Sequence, residues 1–476
     1  MSPIHRAVVL RSLHGIEANL HAVMDIKFGI TVLHLSATWP EGLQRLLRTE
    51  AKTLIDAGFI DESKPRNPLT PFILAADNCR GRVDLSQNIK SLDILLQAGC
   101  TIPLGIDHTG FYMDQRFEII DVIASHLATR RMELVDLAME KFALLRTQNV
   151  RHVTDSLASR TCKLLRFMGH SVPPHLEVPP GYSTIYHQSE IPLNHFPIYF
   201  HHGFRSCNTH NSMGLTPVAV WRKIYVSDCV DWLPWLERHT FLDNHQKDPR
   251  KLGLNVLATG WHYFAAQAGW FFEYYSDIWN LAHKLSDSEV RDDCLCWCND
   301  SEKGCSPASW LWKAKADRKY NDNELKTLLS NHLIYHPSDH DVWTLNNTLS
   351  TIRFLTFEAL EMKHTCCFLK KLEKPDKSSS QRVIARCSKK SVHMIRSSKQ
   401  EREKSCQLAS LMAEFESKLK DSRQTYSVVR NFIWGYWRQR MAEVLAPDPQ
   451  IINDMEQVLN KVETCELRCK GMYPNV

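Results

Sequence analysis

The sequence predicts an all-α protein, a stack of helix-pair repeats closed at its C-terminal end by a separate helical module. Three observations carry that expectation. A short motif opening on threonine and running into apolar, alanine-containing helix returns several times along the chain. The intervals between copies show helical rather than alternating periodicity. The 476 residues, 43% hydrophobic and 23% charged, describe a folded chain too long for one ordinary compact domain.

Taken in order, Ser2-Pro3-Ile4-His5-Arg6-Ala7 reads as the first helix of a degenerate unit. Thr31-Val32-Leu33-His34-Leu35-Ser36-Ala37 follows, with Leu43, Leu46 and Leu47 behind it and a stop at Ala57-Gly58. Thr70-Pro71-Phe72-Ile73-Leu74-Ala75-Ala76 leads to Leu92 to Leu96 and then Ala98-Gly99. The threonine hydroxyl suits a helix N-cap and proline the first turn. Paired alanines let a second helix approach, and the closing glycine can enter the left-handed region that ends it.

Ile119, Ile120, Ile123, Leu127 and Leu134 recur at helical spacing, as do Leu157, Leu164 and Leu165, before Pro173-Pro174 and Pro179-Pro180 mark a surface connection. Two weaker copies come next, Gly214-Leu215-Thr216-Pro217-Val218-Ala219 and Thr259-Gly260-Trp261-His262-Tyr263-Phe264-Ala265-Ala266. Near the end, Leu408, Leu411, Met412, Phe415 and Leu419 share one helical face, and Val429, Phe432, Ile433, Tyr436 and Trp437 share another.

These motifs resemble ankyrin repeats, whose signature includes T-P-L-H-x-A and a later L-L-x-x-G. The arrangement is similar to a group of large fungal ankyrin-repeat proteins. The likeness also draws on Ala124-Ser125-His126-Leu127-Ala128-Thr129-Arg130-Arg131, on the D-D-C-L-C-W-C stretch, and on the helix from Arg353 to Met362. It implies a degenerate ankyrin-type helix-pair repeat solenoid with a C-terminal helical module, and it brings no catalytic residues. The expected divisions are degenerate repeats over 1–110, a helical spacer over 111–180, and further repeats over 181–290. A cysteine-rich loop with buried helices over 291–372, a basic flexible linker over 373–404 and a helical hairpin over 405–476 complete the chain.

Chemistry concentrates in one place. Cys294, Cys296, Cys298 and Cys305 form C-x-C-x-C-x6-C, and Gly304 and Pro307 supply a turn that can return the last thiol to the first three. Four thiolates complete a structural zinc shell, so the expected metal ligands are these four, with His364, Cys366 and Cys367 as further donors. Neighbouring Asp292, Asp293, Asp300 and Glu302 disfavour free thiolates, which argues against a reactive cysteine in the absence of metal. The competing expectation is a buried cluster of inert thiols.

The net charge of +5 is too balanced to indicate a nucleic-acid partner. From Lys370 to Lys404, however, twelve Lys or Arg face four Asp or Glu, and Ser378-Ser379-Ser380 interrupts them, the composition of a solvated linker. Fifteen cysteines without a signal-peptide core in the first thirty residues point to reduced thiols and to the cytoplasm or nucleus. No apolar window reaches a membrane span. Nucleotide-binding glycine motifs, H-E-x-x-H and G-x-S-x-G are all missing.

The expectation is therefore a non-enzymatic scaffold or adaptor that binds other proteins, with no membrane and no small-molecule substrate. The resemblance puts the binding face on turns and first helices, loosely at Phe28, Gly29, Pro68, Leu69, Met213 and Gly214. Two rivals stand beside it: a cysteine-dependent enzyme centred on Cys294 to Cys305, and a nucleic-acid adaptor acting through the basic linker.

Overall fold

The computed structural model describes residues 3–19, 30–58, 69–77, 85–102, 117–142, 155–221 less 180–181 and 189–190, 226–243 and 258–271, then 281–317 less 283, 286–287, 293, 295 and 300–303, 344–385 less 366–367 and 373–380, 387–422 and 424–446. Phe28, Gly29, Pro68, Asp293, Asp300, Glu302, Cys366 and Cys367 lie outside them. Described residues are mostly helical, with one antiparallel two-stranded hairpin that pairs Phe368–Leu372 with Gln381–Ala385. None of the described helices is long and apolar enough to cross a membrane.

The chain forms two compact units that interleave in sequence. The first comprises 1–294, 304–328 and 366–387, and the second 295–303, 329–365 and 388–476. The predicted 291–372 division is thus shared between the two.

In the first unit the short helices Pro3–Val9, Val32–Ser36 and Pro71–Asp77 each bury one apolar face, with Ile4, Val8, Val32, Leu33, Phe72, Ala75 and Ala76 inside and Val9 and Leu35 outside. Leu85–Gln97 buries Leu92, Leu95 and Leu96 and ends as the sequence predicts. Gly99 takes φ 93°, and the amides of Gly99 and Cys100 donate to Leu96 and Leu95 carbonyls. Gly260–Phe271 packs closely against Pro307–Asp317, where a Cβ on Gly269 would run into the Leu311 carbonyl. Phe264, Trp310 and Leu311 are fully buried in that unit, and each contributes roughly 2–3 kcal/mol of apolar burial.

Three histidines tie successive units of chain together in one geometry. His34 Nδ1 accepts from the Thr31 amide at 3.0 Å, and its Nε2 lies 2.9 Å from the Leu69 carbonyl oxygen. His262 Nδ1 accepts from the Thr259 amide at 3.1 Å, while its Nε2 lies 3.1 Å from the Cys305 carbonyl oxygen. His187 stands 3.0 Å from Thr184 Oγ1 through Nδ1 and 2.9 Å from the Leu215 carbonyl oxygen through Nε2. A carbonyl can only accept, so Nε2 carries the proton in all three, and at His34 and His262, where Nδ1 accepts a backbone amide, the ring is the neutral tautomer.

The accepting residues share a position as well. Leu69, Leu215 and Cys305 immediately precede Thr70-Pro71, Thr216-Pro217 and Ser306-Pro307. Each T-x-x-H turn therefore grips the turn before a following [T/S]-P helix. Burial lowers the pKa of His34, His187 and His262 against the pull of those carbonyls, with His187 brought down to about 4.

A buried ion pair fixes the middle of this unit. Arg131 on the helix Phe117–Lys141 donates from Nε to Asp155 Oδ1 at 2.9 Å, and both side chains are almost fully enclosed. Asp155, at the start of Asp155–Phe167, also accepts from the Tyr182 hydroxyl at 2.6 Å and from the Ile185 amide. Arg130 beside it donates to the Leu96 carbonyl at 2.9 Å.

In the second unit Lys399–Leu419 buries Leu408, Leu411, Met412, Phe415 and Leu419, the face read from the sequence. Its partner runs from Tyr426–Phe432 through a π-turn at Ile433–Trp437 into Arg438–Leu445, with Phe415 and Phe432 edge to face at 5.8 Å. Trp437 donates from its indole to Thr356 Oγ1 at 2.9 Å, joining this hairpin to Leu345–Ala359.

Within the expected flexible linker over 373–404, residues 381–385 and 387–404 are described, and they are ordered into regular elements. Gln381–Ala385 is a strand, and Lys389–Ser397 is a helix capped by Ser388, whose Oγ accepts the Ser391 amide at 3.1 Å. Ser398 then caps Lys399–Leu419 in the same way. Lys, Arg, Glu and Gln are good helix formers, so a high local charge does not by itself leave a segment unfolded. Glu401, within that charged run, is buried and accepts from the Lys363 amide at 3.0 Å.

Candidate metal centre

All four thiols of the C-x-C-x-C-x6-C motif are buried. The structure divides them two and two. Cys296 and Cys298 gather with His364 in the second unit, and Cys294 and Cys305 gather with Asp292 in the first. Within each trio the donor atoms lie within 4.8 Å of one another, and each trio could hold a metal ion. Of the expected ligand set Cys294, Cys296, Cys298 and Cys305, two thiols thus fall in each trio, together with Asp292 and His364 as further donors.

The first-unit trio is already occupied by hydrogen bonds. Asp292 Oδ1 accepts the Cys294 amide at 2.9 Å and the Cys305 amide at 2.7 Å, and Oδ2 accepts the Trp310 indole at 2.9 Å. Lys313 Nζ donates to Cys305 Sγ at 2.8 Å and lies 4.8 Å from the centre of the Trp310 ring. Gly304 makes the turn possible. Its φ is 77°, and a Cβ there would strike the Asp292 carbonyl oxygen. A cation here would have to displace an ammonium from the sulfur and compete with three donors for the carboxylate, so this trio is built as a structural knot.

The second-unit trio sets an imidazole beside two thiols. His364 directs Nδ1 toward Cys296 Sγ at 3.8 Å, while its Nε2 donates to Glu358 Oε1 at 2.6 Å. The Thr365 amide donates to Cys296 Sγ at 3.4 Å. Carboxylate, imidazole and thiolate in that order form the arrangement by which a second ligand shell fixes the ring nitrogen that faces a metal. Phe357 packs on the same imidazole at 4.6 Å between ring centres.

His364 was legible only as a distant donor, because 68 residues separate it from Cys296. Glu358 and Lys313 escaped the sequence reading altogether, since neither stands in a spacing that marks a ligand. The bridge at Thr184-Ile185-Tyr186-His187 was also missed, although its T-x-x-H spacing repeats that of Thr31 and Thr259.

Three buried thiols elsewhere are held in the unreactive form. Burial pushes Cys100 and Cys207 up to about 12 and raises Cys162. A nucleophilic cysteine requires the opposite shift. Comparison with known proteins finds no family model, no curated protein and no solved structure that matches this chain.

Proposed function

We propose that this chain is a non-enzymatic protein-interaction scaffold whose first unit is a degenerate stack of ankyrin-type helix-pair repeats. The observation that supports it is the histidine bridge made three times, at His34, His187 and His262, to the residue before Thr70, Thr216 and Ser306. One such contact is a local accident of packing. Three in the same register describe a unit that docks on its successor by a repeated rule, the principle on which stacked-repeat proteins build extended binding faces.

A photo-activated cross-linker tests the reading in the native cell. Placed at Ser212, in the turn before Thr216, or at Leu35, on an exposed part of the Thr31 helix, it should yield discrete protein adducts. Placed at Phe167, 86% exposed at the end of another helix, it should yield few. Equal labelling from all three sites, or none from any, would remove the scaffold reading.

A further inference from the structure

We propose that Cys296, Cys298 and His364 bind a zinc ion, with Glu358 as the positioning residue for the imidazole and with Cys294 and Cys305 taking no part. This stands independently of the scaffold reading, since every group it uses belongs to the second unit.

The geometry fits the ion. In a tetrahedral site with Zn–S near 2.3 Å and Zn–N near 2.0 Å, sulfur and nitrogen ligands stand about 3.5 Å apart. Cys296 Sγ and His364 Nδ1 are 3.8 Å apart, a contact that closes by a few tenths of an ångström. The donor chemistry selects zinc from the commoner divalent ions, because two sulfurs and one imidazole nitrogen are borderline-soft ligands that magnesium and calcium avoid.

The electrostatics fit as well. Two thiolates balance the dication. The Thr365 amide hydrogen bond to Cys296 favours the deprotonated sulfur. Glu358 accepts the Nε2 proton of His364 and leaves the Nδ1 lone pair toward the thiols. The described residues around Cys296 and Cys298 include a turn at residues 297–298 and no helix or strand, so a metal would supply them with a fixed shape.

The test uses full-length protein made in zinc-supplemented medium and purified under reducing conditions without chelator. Elemental analysis should find about one zinc per chain. Cys296→Ser and Cys298→Ser should each abolish it, while Cys305→Ser should retain it. Glu358→Gln should weaken zinc affinity by roughly 10–100-fold without removing the site. Should the serine variants fail to fold, alkylation of the wild-type protein decides the matter. A strong chelator should increase labelling at Cys296 and Cys298, mapped by mass spectrometry, and leave Cys294 and Cys305 unchanged. Metal-free wild-type protein, chelator-insensitive labelling of Cys296 and Cys298, or loss of zinc from a folded Cys305→Ser variant would each overturn the proposal.

Discussion

Acid should unlock the histidine bridges, and His187 allows the effect to be sized. Its pKa falls from 6.5 to about 4, mainly through burial, with the His210 charge adding to the shift and the Leu215 carbonyl opposing it. Between those values the unfolded chain binds a proton that the folded chain refuses, so stability is complete above about pH 6.5 and is lost as the pH falls toward 4. For a shift of that size the loss between pH 7.5 and pH 5 is about 2 kcal/mol from this one ring. His187→Gln gives up the bridge at every pH but removes the titration. Urea unfolding followed by circular dichroism should therefore show wild type losing about 2 kcal/mol more than the variant over that range. Parallel pH profiles would refute the reasoning and would mean that His187 is protonated or solvated in the folded chain.

Other perturbations follow from the same contacts. Asp155→Asn leaves Arg131 buried without its counter-charge and should cost about 3–5 kcal/mol by equilibrium unfolding, whereas a conservative change at the exposed Glu140–Lys141 pair should cost almost nothing. Gly269→Ala inserts a methyl group against the Leu311 carbonyl and should destabilise by about 1–3 kcal/mol, read as a lower melting temperature. Trp437→Phe strips a buried hydrogen bond from Thr356 and should cost about 1–2 kcal/mol, read from the same unfolding curves.

The parts of the fold that were legible were those in which a residue type has one physical use. Leucine and isoleucine at helical spacing marked the buried faces of Leu85–Gln97, Phe117–Lys141 and Lys399–Leu419, and Gly99 marked a stop that only a left-handed residue makes comfortably. Legibility failed where one residue type serves two ends. Lysine and arginine between 370 and 404 suggested a solvated linker, yet serine caps turn the same charges into helix surface. Four cysteines close in sequence suggested one metal shell. Side chains at 294 and 296, however, can join different neighbours, and the partners that decide the matter, His364, Glu358 and Lys313, are remote or carry no ligand spacing. Burial of Arg130 and Arg131 was equally hidden, since arginine on a helix ordinarily faces water.

The Asp292 knot offers the sharpest separation of structure from metal binding. Its Oδ2 accepts the Trp310 indole, whose N–H can only donate, and its Oδ1 serves two backbone amides. Asp292→Asn keeps the volume and one acceptor oxygen but must set an amide NH2 against either the indole or the backbone amides, so two donors face each other in a buried space. Losing that bond and burying an unmatched donor should cost about 2–4 kcal/mol. Trp310→Phe alone also loses the bond, but it takes the donor away. Combined with Asp292→Asn it should relieve the clash, so the double variant should be more stable than the sum of the single losses by about 1 kcal/mol or more. Thermal unfolding of the four proteins measures that coupling. Strict additivity would mean that the indole and the carboxylate do not meet in solution. Zinc retained by a folded Asp292→Asn variant would show that the knot and the Cys296–Cys298–His364 centre are separable, as their different donor sets require.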